Sequence, residues 1–269
     1  MNYRKNSKML ETHLNKNGVM RFNINSPENL NALSEIMMDL IQNSLEKATL
    51  DKNVRVIIIA GEGSTFSSGH DLKELRAARK NADKGKKYFL KIMKKCSKMM
   101  QTIIKCPKPI IAEVAGTATA AGCQLVASCD LAYASSLAKF ATPGVNIGLF
   151  CSTPMVAISR NLANKHSMEM LLTGELISSN KAEKIGLINE VVETNNLKDF
   201  VQNKAEKISK KSSMTLKIGK EAFYKQIDMK LSDAYDYASK IMVQNMLKLD
   251  AKEGIDAFID KREPSWKDK

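Results

Sequence analysis

From Pro109 to Asp130 the chain reads PIIAEVAGTATAAGCQLVASCD, an apolar run followed by a dense stretch of small residues. That order predicts a strand, a tight turn, and a helix opening near Ala121. Gly116 and Gly122 tolerate positive φ and let another group come close to the backbone. A helix N-terminus also presents unpaired N–H groups that suit an anion. The same residues equally suit a small-residue crossing where a helix packs hard against a strand. No short motif decides between the two.

A second stretch has the same grammar. Val54-Arg-Val-Ile-Ile-Ile-Ala60 is a β-branched run that reads as a buried strand. It leads into Gly61-Glu-Gly-Ser-Thr-Phe-Ser-Ser-Gly-His-Asp71. A dinucleotide-binding G-x-G-x-x-G would need glycine where Phe66 stands, so that fold is excluded. Asp71 and Glu74 have capping-box spacing, which starts a helix at Leu72 and leaves the His70 N–H free. Gly219-Lys220 lacks the upstream glycine of a phosphate-binding P-loop.

Between and beyond these turns, Gly18–Ile24 alternates as a strand, and Ser34 caps an amphipathic helix reaching about Leu50. Residues 80–87 read as a mobile polar loop. A helix over 86–105 ends at Cys106-Pro107. Short strands follow at 130–134 and 139–141, then a loop with two glycines at 142–148. Helices are expected at 153–162, 167–172 and 178–184, with a last strand at 188–193. From residue 197 the pattern is helical to the end, with helices near 197–210, 213–226, 231–247 and 251–261. Alternating strands and helices give an α/β class, divided into a core over 1–196 and a helical region over 197–269.

The 42 Lys and Arg against 29 Asp and Glu give a formal charge of +13, which invites a nucleic-acid reading. The lysines are instead spread along helical segments, interleaved with acids, and aromatics make up only 6% of the chain. Neither nucleic acid nor membrane is therefore expected as a partner, and no apolar run approaches the ~20 residues of a membrane helix. Five scattered cysteines and three histidines offer no disulfide framework and no metal-ligand spacing. The N-terminus is basic without the apolar core of a secretory signal. A reducing, cytoplasmic setting is the expectation.

Taken together, Phe66–Leu75 (FSSGHDLKEL) and Ala115–Leu125 (AGTATAAGCQL) resemble the two signature segments of the crotonase, or enoyl-CoA hydratase/isomerase, family. The resemblance continues through Ser128–Ala134, Phe140–Gly148, Leu172–Ser178, Ala182–Ile188 and Glu253–Arg262. It covers about residues 9 to 264. It implies a spiral of ββα units with C-terminal helices that build a homotrimer or homohexamer. It also implies that the N–H groups of His70 and Ala121 form an oxyanion hole for an acyl-CoA thioester. Two such donors stabilise a developing enolate oxygen, each worth roughly 3 kcal/mol. By the same resemblance Ser68 and Lys73 contact CoA, and Phe258 and Lys261 reach the CoA of a neighbouring subunit. No cofactor is permanently bound; CoA enters as part of the substrate.

Two positions depart from the family. Hydratases of this kind carry a glutamate where Gln124 and Gly144 stand. An amide can hold a water but cannot take its proton, and general acid–base catalysis contributes roughly 10²–10⁴-fold. Ordinary enoyl-CoA hydration is therefore not expected by that route. Three readings stay open: an acyl-CoA enzyme using other groups, with His70 first and Cys151 and Ser152 behind it; a hydratase or isomerase with relocated acid–base groups; and a non-catalytic acyl-CoA-binding subunit. Within the first, a (methyl)malonyl-CoA-type decarboxylase resembles the chain in Ser68–Asp71 and Thr142-Pro143 and needs no base for water.

Overall fold

The computed structural model describes residues 9–269, so the first eight residues of the basic N-terminal stretch lie outside the described residues. Two sheets form the framework. The larger has the order β1 (Leu10–Leu14), β2 (Val19–Ile24), β3 (Val56–Gly61), β5 (Ile110–Val114), β7 (Leu131–Ser135), β10 (Glu190–Val192). Its β1 is antiparallel to β2 and every other neighbour pair is parallel. The smaller sheet runs β4 (Thr65–Ser67), β6 (Thr117–Thr119), β8 (Lys139–Ala141), β9 (Ile177–Ser178).

The apolar runs identified in the sequence are strands buried on both faces. Along β3, Ile57 and Ile59 enter the large core with Phe22, Met37 and Ile103. Val56 and Ile58 point the other way, into a second core with Val201 and Ala205. That is the period-two alternation of a strand applied to a sheet covered on both sides. Charge inside the sheet is paired: Arg21 of β2 donates both Nη groups to the Glu113 carboxylate of β5, each at 2.8 Å.

The helices are α1 (Glu35–Leu50), α2 (Leu72–Ala78), α3 (Lys86–Lys105), α4 (Ala121–Ser128), α5 (Ser152–Asn161), α6 (Asn164–Thr173) and α7 (Ser179–Lys184). After them come α8 (Leu197–Ser209), α9 (Ser213–Gln226), α10 (Leu231–Met246) and α11 (Leu249–Ile259). The winding explains the site. In β3–β4, β5–β6 and β7–β8 the first strand joins the large sheet and the second joins the small one. Because β4 and β6 are parallel neighbours, the helices that follow them, α2 and α4, begin side by side. This is the ββα spiral expected from the resemblance.

Some local readings change. Leu10–Leu14 is a strand, which only two inward-facing leucines at an edge could have signalled. Residues 143–147 form a 3-10 helix rather than an open loop. Ser34 caps α1 as expected, accepting from the Met37 N–H. Asp71 caps α2 through the N–H groups of Lys73 and Glu74. Glu74 does not complete the box, because its Oε2 accepts from the Glu35 N–H at the start of α1 and from the Tyr88 hydroxyl.

Candidate functional site

The two small-residue turns meet. At Gly69 an added Cβ would lie 2.9 Å from the Ala121 nitrogen and 3.1 Å from the Thr119 carbonyl oxygen. At Gly122 it would lie 2.1 Å from the Ser67 carbonyl oxygen. Glycine is required at both positions by backbone approaching backbone, and Gly69 adds a φ of +88°. Of the two early readings of the 113–130 stretch, hard packing and a free helix start, the structure contains both.

Several bonds hold the first turn. The Leu33 N–H donates to the Gly69 carbonyl at 2.7 Å, the Ser68 N–H to the Leu30 carbonyl at 3.0 Å, and the Thr119 hydroxyl to the Ser68 carbonyl at 3.1 Å. Buried Asn31 ties the preceding loop by donating to the carbonyls of Glu62 and Thr65. Among the described residues, no acceptor takes the N–H of His70 or of Ala121. Ala120, just ahead of α4, has φ 50° and ψ −119°, a conformation L residues rarely adopt. Such strain typically costs about 1–3 kcal/mol and persists only where its surroundings enforce it.

The His70 ring is near the Leu33 backbone. Both ring nitrogens are buried without a hydrogen-bond partner. Burial pushes the imidazole pKa below its ordinary value, and the Leu33 backbone, outside hydrogen-bond geometry, opposes the shift only in part. The ring is thereby kept neutral at pH 7, with a lone pair available.

Gln124 sits one turn into α4, 5% exposed. Its Oε1 receives only a long contact from the Cys96 thiol, 4.0 Å, and burial raises that thiol's pKa to about 12. Gly144 is buried in the 3-10 helix, and its side-chain space is filled. A Cβ there would meet the Leu149 carbonyl oxygen at 2.8 Å and the Cys151 Sγ at 2.9 Å. Burial raises the Cys151 pKa, partly offset by the Gly144 backbone. The sequence showed that a glutamate is missing at 144; it did not show that the fold has closed over its place.

The other expected contacts are more dispersed. Lys73 lies in the first turn of α2, its Nζ donating to Asn29 Oδ1 at 3.2 Å. Phe258 is 86% exposed and lines a cavity of about 620 Å³ built wholly from residues 211 and beyond. Lys261 follows α11 with a φ of 55°. Within one chain Phe258 thus belongs to the C-terminal helices and not to the turns. Among the described residues no group of three or more His, Cys, Asp or Glu side chains is placed to hold a metal. No helix is long and apolar enough to cross a membrane.

Comparison with known proteins identifies the family and the fold. The family described as enoyl-CoA hydratase/isomerase matches residues 14–269. A Xenopus laevis protein named enoyl-CoA hydratase domain-containing protein 3, mitochondrial, is 47% identical over 93% of this chain and 84% of its own. The human protein of that name is 45% identical over 93% and 80%. The crystal structure of human enoyl-CoA hydratase domain-containing protein 3 superposes with a TM-score of 0.91 at 43% identity, covering 96% of this chain and all of that one. An enoyl-CoA hydratase from Mycobacterium smegmatis gives 0.91 at 42%, covering 96% and 98%.

These names correct one expectation, since relatives named mitochondrial conflict with a cytoplasmic setting. Unpaired cysteines and the lack of a secretory core speak to redox state and to the secretory route. Neither separates the cytosol from the mitochondrial matrix, and transit peptides have no apolar core to find. Fold, paired turns and sequence identity over most of its length agree: the chain belongs to the enoyl-CoA hydratase/isomerase family.

Proposed function

We propose that the chain binds an acyl-CoA thioester with its carbonyl oxygen between the N–H groups of His70 and Ala121, and that it stabilises the thioester enolate. The observation that carries this reading is the pair of unbonded N–H groups on adjoining turns of a family whose members bind acyl-CoA thioesters. Preorganised backbone donors need no reorientation as charge develops on the oxygen, and that is the source of their effect. Ser68 and Lys73 flank the CoA, and Phe258 and Lys261 act from a neighbouring subunit of a trimer or hexamer.

The reaction that suits this site forms an enolate without a carboxylate base. Neutral Gln124 and filled Gly144 disfavour activation of water. Loss of CO₂ from a (methyl)malonyl thioester leaves the electron pair on the α-carbon, delocalised onto the thioester oxygen. One proton must then reach that carbon, and water supplies it; the neutral His70 ring has a lone pair to hold that water but no acidic proton to give. A non-catalytic acyl-CoA-binding subunit is the second reading, favoured by the same two positions.

Incubation with crotonyl-, malonyl- and methylmalonyl-CoA, following hydration and CO₂ release, separates the readings. CO₂ release without hydration supports the first. Binding of all three without turnover supports the second, and failure to bind any CoA ester overturns both. His70→Ala with unchanged turnover removes the ring from the chemistry while leaving its N–H in place.

A further inference from the structure

At the opposite end of the large sheet, the β1–β2 hairpin (Lys16, Asn17), the segment before β3 (Lys52, Arg55) and the end of α8 (Lys210) enclose a cavity of about 570 Å³. Its lining holds four cations, no carboxylate and no apolar side chain. Arg55 precedes β3, whereas the loop to His70 follows it. The six residues of β3, at a rise of about 3.3 Å each, therefore set the cavity about 17 Å or more from the turns.

Some surface lysines meet acids, as Lys95 does with Glu35 and Asp39 and Lys98 with Glu46, while others among the described residues, such as Lys94 and Lys240, stand alone on open surface. Here, among the described residues, Lys16, Lys52 and Lys210 have no carboxylate within 4.0 Å. Glu206 borders the cavity: Asn15 bonds it at 3.2 Å and Gln202 at 2.8 Å, and Gln202, Asn17, Asn15 and the Lys210 charge together lower its carboxyl pKa. Arg55 is held rigidly: its Nε donates to the Ser209 carbonyl at 2.6 Å, Nη2 to the Lys211 carbonyl at 2.7 Å, and Nη1 to Asp268 at 3.0 Å. A guanidinium has five N–H donors, so two remain. Cations converging on a concave surface reinforce one another's potential and concentrate anions there.

We infer that this cavity binds a small polyanion carrying two or more phosphate groups. With no aromatic or apolar wall in its lining, it recognises charge and not a nucleobase or an acyl chain. The inference is independent of the thioester site.

The test uses tripolyphosphate at low ionic strength on the full-length chain, read by calorimetry and by tryptophan emission. Trp266 is the single tryptophan, and its indole N–H bonds the Lys210 carbonyl at 2.8 Å, so it reports on the cavity wall. Saturable binding with an emission change is expected, with ATP binding as tightly as tripolyphosphate and monophosphate more weakly. Lys52→Ala/Lys210→Ala should weaken binding at least tenfold. Lys94→Ala/Lys240→Ala, elsewhere on the surface, should change it less than twofold. Four results would overturn the inference: no saturation at millimolar tripolyphosphate, equal weakening in both double variants, calorimetric binding without an emission change, or a strong preference for ATP.

Discussion

At Gly144 a side chain would have to occupy space that the Leu149 carbonyl and Cys151 Sγ already fill. Backbone cannot retreat as a flexible side chain can, so Gly144→Glu is expected to cost about 1–3 kcal/mol and to yield no hydratase. Adding Cys151→Ala removes one of the two obstructions and should recover part of that loss in urea denaturation. Equal stability of the single variant and the parent would mean the segment is looser than its contacts indicate. His70 supports a second expectation. Burial lowers its folded pKa, so between that value and the ordinary ~6.5 the unfolded chain binds the extra proton and stability rises with pH. Its contribution is therefore complete above about pH 6.5 and declines as pH falls below that. His70→Gln should flatten the pH 5–7 stability profile, and an unchanged slope would refute the assignment.

Among elements, α9 is fixed to the core by one buried cluster. Lys220 Nζ donates to Asp130 Oδ2 at 2.7 Å and to the carbonyls of Ile103 and Lys108, and Tyr224 donates to Asp130 Oδ1 at 3.0 Å. Burial raises the Asp130 pKa, with Lys220 opposing it. Removing one partner strands a charge at 8–17% exposure, which typically costs 3–5 kcal/mol. Lys220→Met should therefore cost about 3 kcal/mol by urea titration, and Lys220→Met/Asp130→Asn less than the sum of the two singles. Additive losses would show that the two side chains act independently.

This cluster also marks how far the sequence could be read. The β3 run, the Ser34 and Asp71 caps and the helix start at Ala121 follow from neighbours in the chain, and all were legible. In the sequence Lys220 stands out only beside Gly219 in an incomplete P-loop, because its partners lie 90 and more positions away. The filled space at Gly144 and the strained Ala120 were hidden for a related reason, since only the folded backbone defines them. The two turns were readable from their small residues, while the pairing of His70 and Ala121 as proposed donors came from the family resemblance. The closing of the glutamate position was not.

At the scale of the molecule, the C-terminal helices leave apolar side chains uncovered. Leu231, Tyr235, Met242, Val243 and Met246 of α10 and Ile255, Phe258 and Ile259 of α11 are all more than half exposed. Apolar surface so concentrated is the pattern of an association face, which makes self-association the expected outcome. Sedimentation at micromolar concentration is expected to show three or six copies. Met242→Glu/Ile259→Glu should shift the population to monomer while circular dichroism stays unchanged. A parent chain that sediments as a monomer would refute the face as an assembly surface.

The contact between Gly122 and the Ser67 carbonyl has a further consequence for exchanging parts between relatives. Because each turn is shaped by the backbone of the other, 66–71 and 116–124 form a single cassette. A chimera that imports one turn alone inherits a mismatched wall. One that imports both, with Gly69 and Gly122 kept, carries the mutual fit of the two turns intact into a new framework.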